Sequence, residues 1–450
     1  MKNQILVLFC ILAISNLAAQ QHFSGINTSS NTSIVNGVMN PAEFANITST
    51  YQVNVLGLSV NASSNKIGFS DLVRGNDLEE LIFAGSDAAN LRIDGEILGP
   101  GLAYKMDKWT FALTTKAYGK LDLVDIDVNI GDAIANSGVN SLFGSTVISN
   151  TYNQRVNGTT WGEVGFSAAT NIFEDEKHKF NAGATLKLLF PGSYANFGAD
   201  RFTGTVNNTL TGGTLTDTEA NLNIAYSGNL GEDFTNFNDY SSSLFGKLNG
   251  FAADLGVNYQ LKDESTTGRY KVNAGLSVRN LGGMTFKSEN NSATNYILSI
   301  QGSESLDLDQ FQNVTSLEEV EALLLASGYL DRTDNNQTDF KVKLPTVFSA
   351  YADVKIIPDF FVTLFTQQKL NKRGENDQIA TENIISVTPR YLLSNLEFFL
   401  PLSANEISGF SGGVGFRAYG FYIGSSSILS ALISDSKQAD VFLGYGFSLK

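Results

Sequence analysis

Seven cations recur on one face of alternating segments of this chain. They are Lys116, Lys187, Lys271, Arg279, Lys369, Arg390 and Arg417, and the same faces carry few acids, among them Glu163 and Asp254. Guanidinium and ammonium groups gathered in one enclosure suit recognition of an anionic head group such as a carboxylate. Lys187, Lys271, Arg279, Arg390 and Arg417 are therefore the candidate ligand-binding set. The competing reading is that these cations pair with carboxylates and fill a polar interior.

Other chemistry is poorly supplied. The chain has two histidines, His22 and His178, and one cysteine, Cys10. A single cysteine makes no internal disulfide, no Cys-rich zinc site and no iron–sulfur cluster. His22 lies near the N-terminus and His178 in a charged turn, so both are expected on a solvated surface. Residues 331–339 (DRTDNNQTD) lack the Gly and Glu that a calcium loop places at its sixth and twelfth positions. The glycine runs at 411–415 and 444–446 lack a following helix and read as strand glycines. No catalytic residue, metal or cofactor is expected, and the chain is not read as an enzyme.

Composition narrows the class. The 450 residues carry 30 Lys+Arg and 45 Asp+Glu, a net charge of −15. That balance argues against a nucleic-acid partner. Charged residues make up 17% of the chain, below the roughly 25% usual in soluble domains. Residues 302–340 concentrate nine acids against one base, Arg332. This segment is expected to be solvated, to bind divalent cations near lipopolysaccharide, or to dock a partner.

The elements that must position the cations are strands. In residues 251–261 one face carries Phe251, Ala253, Leu255, Val257, Tyr259 and Leu261, and the other carries Ala252, Asp254, Gly256, Asn258 and Gln260. Residues 180–190, 270–279 and 441–449 repeat the pattern. Such period-2 alternation defines strands with unlike faces. The runs exceed the usual 5–6 residues and match the roughly 9–11 of a tilted membrane strand. Lys105–Lys108, Glu174–Lys179 and Ile357–Asp359 supply tight turns. The expected fold is all-β: a transmembrane antiparallel barrel of about 14 strands, within a range of 12–16.

Residues 1–20 (MKNQILVLFCILAISNLAAQ) read as a signal peptide, with Lys2 before an apolar run and small residues after it. Residues 21–49 then form an N-terminal plug and residues 50–450 the barrel. Four stretches read as long loops: 70–96, 124–158, 191–218 and 302–340. A short helix is expected near 78–83. Another is expected at 316–327, where Ser316 and Glu319 have capping-box spacing; it should pack in a loop or on the barrel mouth.

The segment NGVMNPAEFAN (36–46) places Asn40, Pro41 and Ala42 between the signal peptide and the first strand. This Asn-Pro-Ala element resembles the hatch of FadL-like fatty-acid transporters and of PorV-type barrels. The resemblance implies an inward-folded N-terminal hatch, a 14-stranded barrel and movement of hydrophobic compounds. Taken without the resemblance, Asn40-Pro41 is a turn signal. The C-terminus resembles a barrel-assembly signal strand, although it ends in Lys450 rather than an aromatic residue.

Three functional readings follow. The first is a non-enzymatic barrel in the outer membrane of a Gram-negative bacterium, binding or passing hydrophobic or amphiphilic small molecules. Its expected partners are outer-membrane lipid, lipopolysaccharide and the barrel-assembly machinery. The second is an interaction barrel that docks secreted or surface proteins, as PorV-type relatives do. The third is a soluble exported β-sandwich that binds carbohydrate.

Overall fold

The structure is a computed structural model and describes residues 22–31, 33–135, 144–209, 212–227, 246–263, 270–287, 291–372, 374–393 and 395–449. The signal-peptide reading lies outside the described residues.

Fourteen strands close into a ring. They are β1 (Tyr51–Ser64), β2 (Ala89–Leu98, continued by Gly101–Met106), β3 (Trp109–Ile126), β4 (Asn153–Glu174), β5 (His178–Thr209), β6 (Gly250–Lys262) and β7 (Tyr270–Lys287). The second half comprises β8 (Val347–Ile357), β9 (Phe360–Lys369), β10 (Ile384–Leu393) and β11 (Leu396–Phe399 with Leu402–Asn405). It ends with β12 (Gly409–Gly412 with Val414–Ala418), β13 (Phe421–Ser425) and β14 (Gln438–Leu449). Each pairs antiparallel with the next, and β14 returns to β1 from Tyr51↔Leu449 to Ser63↔Gln438. Closure removes every unpaired edge from the ring, which is what a lipid-embedded sheet requires.

Alternation then sorts the side chains. On β6, Phe251, Leu255 and Val257 are exposed while Asp254 and Asn258 are buried. On β1, Val60 is exposed between buried Ser59 and Asn61. The exterior is an apolar belt, and the interior is polar. A soluble sandwich buries its apolar faces between two sheets, so the closed ring and outward belt overturn that third reading. No helix among the described residues is long and apolar enough to cross a membrane, and the crossing is made by strands.

The two ends differ. At one end, short turns join Met106 to Trp109 and Ile357 to Phe360, and both β1 and β14 terminate there. Aromatic residues ring this end, with Tyr51 stacked on Tyr104 (5.0 Å) and Trp109 on Phe111 (6.1 Å). At the other end the connections, apart from the turn between Asn405 and Gly409, are longer, and their described parts include helices and strands.

There the sheet continues past the ring. The upper half of β5 pairs with strand Gly212–Tyr226, which pairs with strand Ser292–Ile300. Residues 191–218, expected as a loop, are thus largely strand. Their Asn and Thr content suggested coil, but Phe197 and Ala199 alternate with Asn196 and Asp200, and backbone pairing satisfies the chain. Helices α1 (Ile34–Met39), α2 (Phe69–Arg74), α3 (Leu78–Ile82), α4 (Val128–Ala135), α5 (Leu317–Ser327) and α6 (Ile428–Ser434) complete the inventory used below. The Ser316 hydroxyl caps α5 by accepting from the Glu319 amide at 3.2 Å. Glu319 reaches back to the Thr315 amide at 2.7 Å, one residue before the expected partner. Those donors pull the Glu319 carboxyl below its usual range. The helix lies on the outer face of the extended sheet, with Leu324 in its apolar cluster.

Candidate functional site

The described part of the N-terminal segment, from His22 to Ile47, is almost wholly buried inside the barrel. Asn40 is fully buried and caps a 3₁₀ turn, Pro41–Asn46, by accepting from the Ala42 amide at 3.0 Å. Proline at the first turn position lacks only a donor that would have no partner there. The Asn40 amide also donates to the Val257 carbonyl at 3.0 Å.

The wall makes room for this turn with glycines on three adjacent strands. A methyl on Gly183 would lie 2.5 Å from the Pro41 carbonyl, and one on Gly275 would lie 2.6 Å from the Asn40 amide nitrogen. Gly256, between them, faces the Asn40 side chain directly. Asn40, Pro41 and Ala42 are therefore seated in a glycine-lined trough of β5, β6 and β7.

Within this turn Glu43 is buried among neutral donors. Asn46 donates to one carboxylate oxygen at 2.8 Å. Asn258 and Asn273 donate to the other at 3.0 and 2.9 Å, joined by the Tyr351 hydroxyl. These bonds offset the cost of burying the carboxylate.

Arg390, paired with Phe361 beside the short Ile357–Phe360 turn, holds the first part of the segment. Its guanidinium donates to the Thr28 carbonyl, to the Thr28 hydroxyl (2.9 Å), to the Gly25 carbonyl (3.0 Å) and to Thr363 (2.7 Å). Asp353 and Glu397 lie 3.9 and 3.7 Å from it. Glu397 accepts in turn from Ser29 at 2.6 Å. Arg417 donates to the Asn31 carbonyl at 2.7 Å.

Lys187 is buried between Asp254 (2.8 Å) and Glu163 (3.5 Å). Arg279 bonds to the neutral Gln367 at 2.7 Å and lines a polar lumen cavity of about 110 Å³. Four of the five candidate cations thus reach the lumen. Lys271 does not belong with them: it is exposed at the short-turn rim. A register shift between Tyr270 and Val272 breaks the alternation that assigned it inward.

His22 lies in the lumen rather than on a solvated surface. Its ring contacts Ser59 Oγ at 2.8 Å and Asp94 Oδ1 at 3.0 Å. Ser, His and Asp are the residue types of a hydrolase triad. Here Asp94 is also held by Lys120, and Ser59 is buried in the wall away from the cavity lining. The arrangement anchors the start of the plug. His178 bonds to the Tyr259 hydroxyl at 2.9 Å.

Two features were not foreseen. The connection between β9 and β10, residues 370–383 apart from 373, crosses the mouth to the opposite wall. Arg155 donates to the Glu375 carbonyl, Tyr194 to the Asn376 carbonyl (2.8 Å), and Arg92 bridges Asp122 and Glu382. Burial raises the Glu382 carboxyl above its usual range. The lumen is therefore closed at both ends, by the plug and by this cap.

The second feature is an apolar pocket of about 360 Å³ on the outer face of the extended sheet, covered by α4 and α5. Phe197, Phe202, Leu222, Leu298, Phe311 and Leu324 line it. Beside it Glu321 accepts hydroxyl bonds from Tyr226 (2.9 Å) and Tyr296. Burial and that carboxylate push both tyrosines above their usual pKa. The alternation of Leu222 and Ile224 with Asn221 and Asn223 was the sequence signal for this face.

Fold and site define a membrane-spanning β-barrel with an internal plug. Residues 41–426 match a family model described as a family of unknown function, DUF5723, and the chain belongs to that family. No curated protein matches it. Similar solved structures include FadL-family barrels. The toluene transporter TodX of Pseudomonas putida shares 10% identity, with 91% of this chain and 92% of that one covered, at a TM-score of 0.41. A FadL homologue of Pseudomonas aeruginosa shares 8%, covering 96% and 98%, at 0.36. The translocator domain of the autotransporter NalP of Neisseria meningitidis shares 8%, covering 92% and 95%, at 0.29. These likenesses are distant.

Proposed function

We propose that this chain is an outer-membrane barrel that captures a hydrophobic small molecule at its long-loop end, with the lumen held closed until plug and cap are displaced. The short-turn end then faces the periplasm and the structured connections face outward. The apolar pocket carries the reading. Its volume of about 360 Å³ falls within the roughly 300–1,000 Å³ of small-molecule sites. A pocket lined in this way by aliphatic and aromatic side chains suits an apolar guest. Lipid and lipopolysaccharide surround the belt in this reading. The luminal cations Arg390, Arg417 and Lys187 serve the plug and the wall, whereas Arg279 lines the lumen cavity with a neutral partner, Gln367.

The experiment is photolabelling of the purified barrel with a water-soluble octanoate bearing a diazirine, mapped by mass spectrometry. Labels are expected on Phe197, Leu298 or Leu324, and filling the pocket with Leu298→Trp should remove them. Labelling that ignores this substitution, or that misses the pocket, overturns the reading.

A further inference from the structure

A second apolar cavity, of about 350 Å³, lies beside the pocket on the outer wall of the barrel. Its floor includes Leu91 and Ile93 of β2, and its roof includes Phe69 and Leu72 of α2 and Leu78 of α3. Ile93 alternates with buried Arg92 and Asp94, so it belongs to the lipid-facing side of the wall. The floor of this groove is a continuation of the belt.

Large apolar side chains also stand exposed beside it. Val73 on α2 is 69% exposed, and Leu432 and Ile433 on α6 are 74% and 83% exposed. Helices α2 and α6 are fastened together, because the Ser70 amide and hydroxyl each donate to Asp435 at 2.7 Å. Exposed apolar side chains on short helices beside a membrane belt suit the lipid–water boundary, where helices bury one face among acyl chains.

One residue lines both cavities. Phe83, just after α3, borders the groove and the pocket alike. Its ring rests on Gly131 of α4, where a methyl would lie 2.1 Å from it. Phe83 therefore stands at the boundary between the groove and the pocket, packed with Leu123, Ile126 and Val128.

We propose that the groove under α2 and α3 is a lateral entrance through which one hydrocarbon chain of an outer-leaflet lipid reaches the pocket, with Phe83 as the movable partition. The occupant is a lipid acyl chain because the floor is the lipid-contacting wall itself and the bordering helices expose Leu72, Val73, Leu432 and Ile433 beside it. This rests on the pocket reading above and adds the source of the guest and its gate.

The full barrel, reconstituted in vesicles of phosphatidylethanolamine and phosphatidylglycerol, is labelled with a phospholipid whose acyl terminus carries a diazirine. Adducts are expected in the groove and in the pocket. Phe83→Ala should raise pocket adducts several-fold. Phe83→Trp should lower them several-fold while groove adducts persist. Heat-modifiable migration on a gel confirms that each variant is folded. Lipid adducts confined to belt and groove, together with pocket labelling by the soluble octanoate probe, would overturn the lateral route and leave the pocket standing. Failure of both probes to reach the pocket would overturn both proposals.

Discussion

The side-chain oxygen of Asn40 occupies the place that a side chain on Gly256 would take: a methyl there would lie 1.9 Å from it. The plug and the wall therefore fit through the absence of atoms as well as through bonds. Gly256→Ala should cost about 1–3 kcal/mol by overpacking. The expected sign is earlier proteolytic cutting of residues 22–47 in the folded barrel. A plug as protected as in the parent protein would show that the trough is not tight.

Arg390 ties β10 to the plug through Gly25 and Thr28. Arg390→Ala leaves Asp353 and Glu397 buried without their cation. Breaking a buried pair on one side costs about 3–5 kcal/mol. The temperature at which the barrel unfolds on a heat-modifiability gel should fall, and Arg390→Lys should rescue it only in part, since an ammonium cannot reproduce the four bonds. Full rescue by lysine would assign the role to charge alone.

Arg92 bonds the cap to the wall through Glu382 and to its own neighbour Asp122. In Arg92→Ala both carboxylates repel in a buried site, and the cap should detach at its Glu382 end. Because the plug still closes the other end, planar-bilayer recordings of this variant alone are expected to stay silent, as in the parent. The combined Arg92→Ala and Gly256→Ala variant should show conducting bursts, because each substitution acts on one closure; bursts from Arg92→Ala alone would show that the plug does not seal.

Tyr226 and Tyr296 share Glu321, and both hydroxyls are held protonated above the usual range. The raised value means that this contact contributes in full below the ordinary tyrosine range, near pH 10, and is lost as pH rises through the folded value. Absorbance titration should show these tyrosines ionising late, and Glu321→Gln should bring them earlier. A titration unchanged by that substitution counts against the contact.

The legible part of this molecule was whatever depends on strict alternation. Val60 between Ser59 and Asn61, or Asp254 between Ala253 and Leu255, states its facing in the sequence. The capping of α5 was equally local, down to Ser316 and Glu319. What escaped depends on departures from period two or on contacts across the mouth. A single bulge turned Lys271 outward. Residues 370–383 look like a polar turn, and their role as a cap rests on Arg92 and Arg155, more than two hundred positions away. His22 read as a surface residue because nothing nearby in sequence reveals Asp94 or Ser59. In the upper sheet, residues 219–226 and 295–300 read as strands from their alternation, whereas 191–218 were obscured by their Asn and Thr content, which serves pairing as readily as it serves coil.

The ring closes where β1 meets β14, the first strand and the last. The segment that fills the lumen leads directly into β1, while its partners Asn258, Tyr351 and Arg390 lie on β6, β8 and β10. These three strands are synthesised before the strand that seals the ring, which then adds Phe442 against Phe23. During assembly the segment can therefore serve as a former around which the open sheet curls, and the last hairpin fastens the wall over a filled interior with no threading through a finished pore.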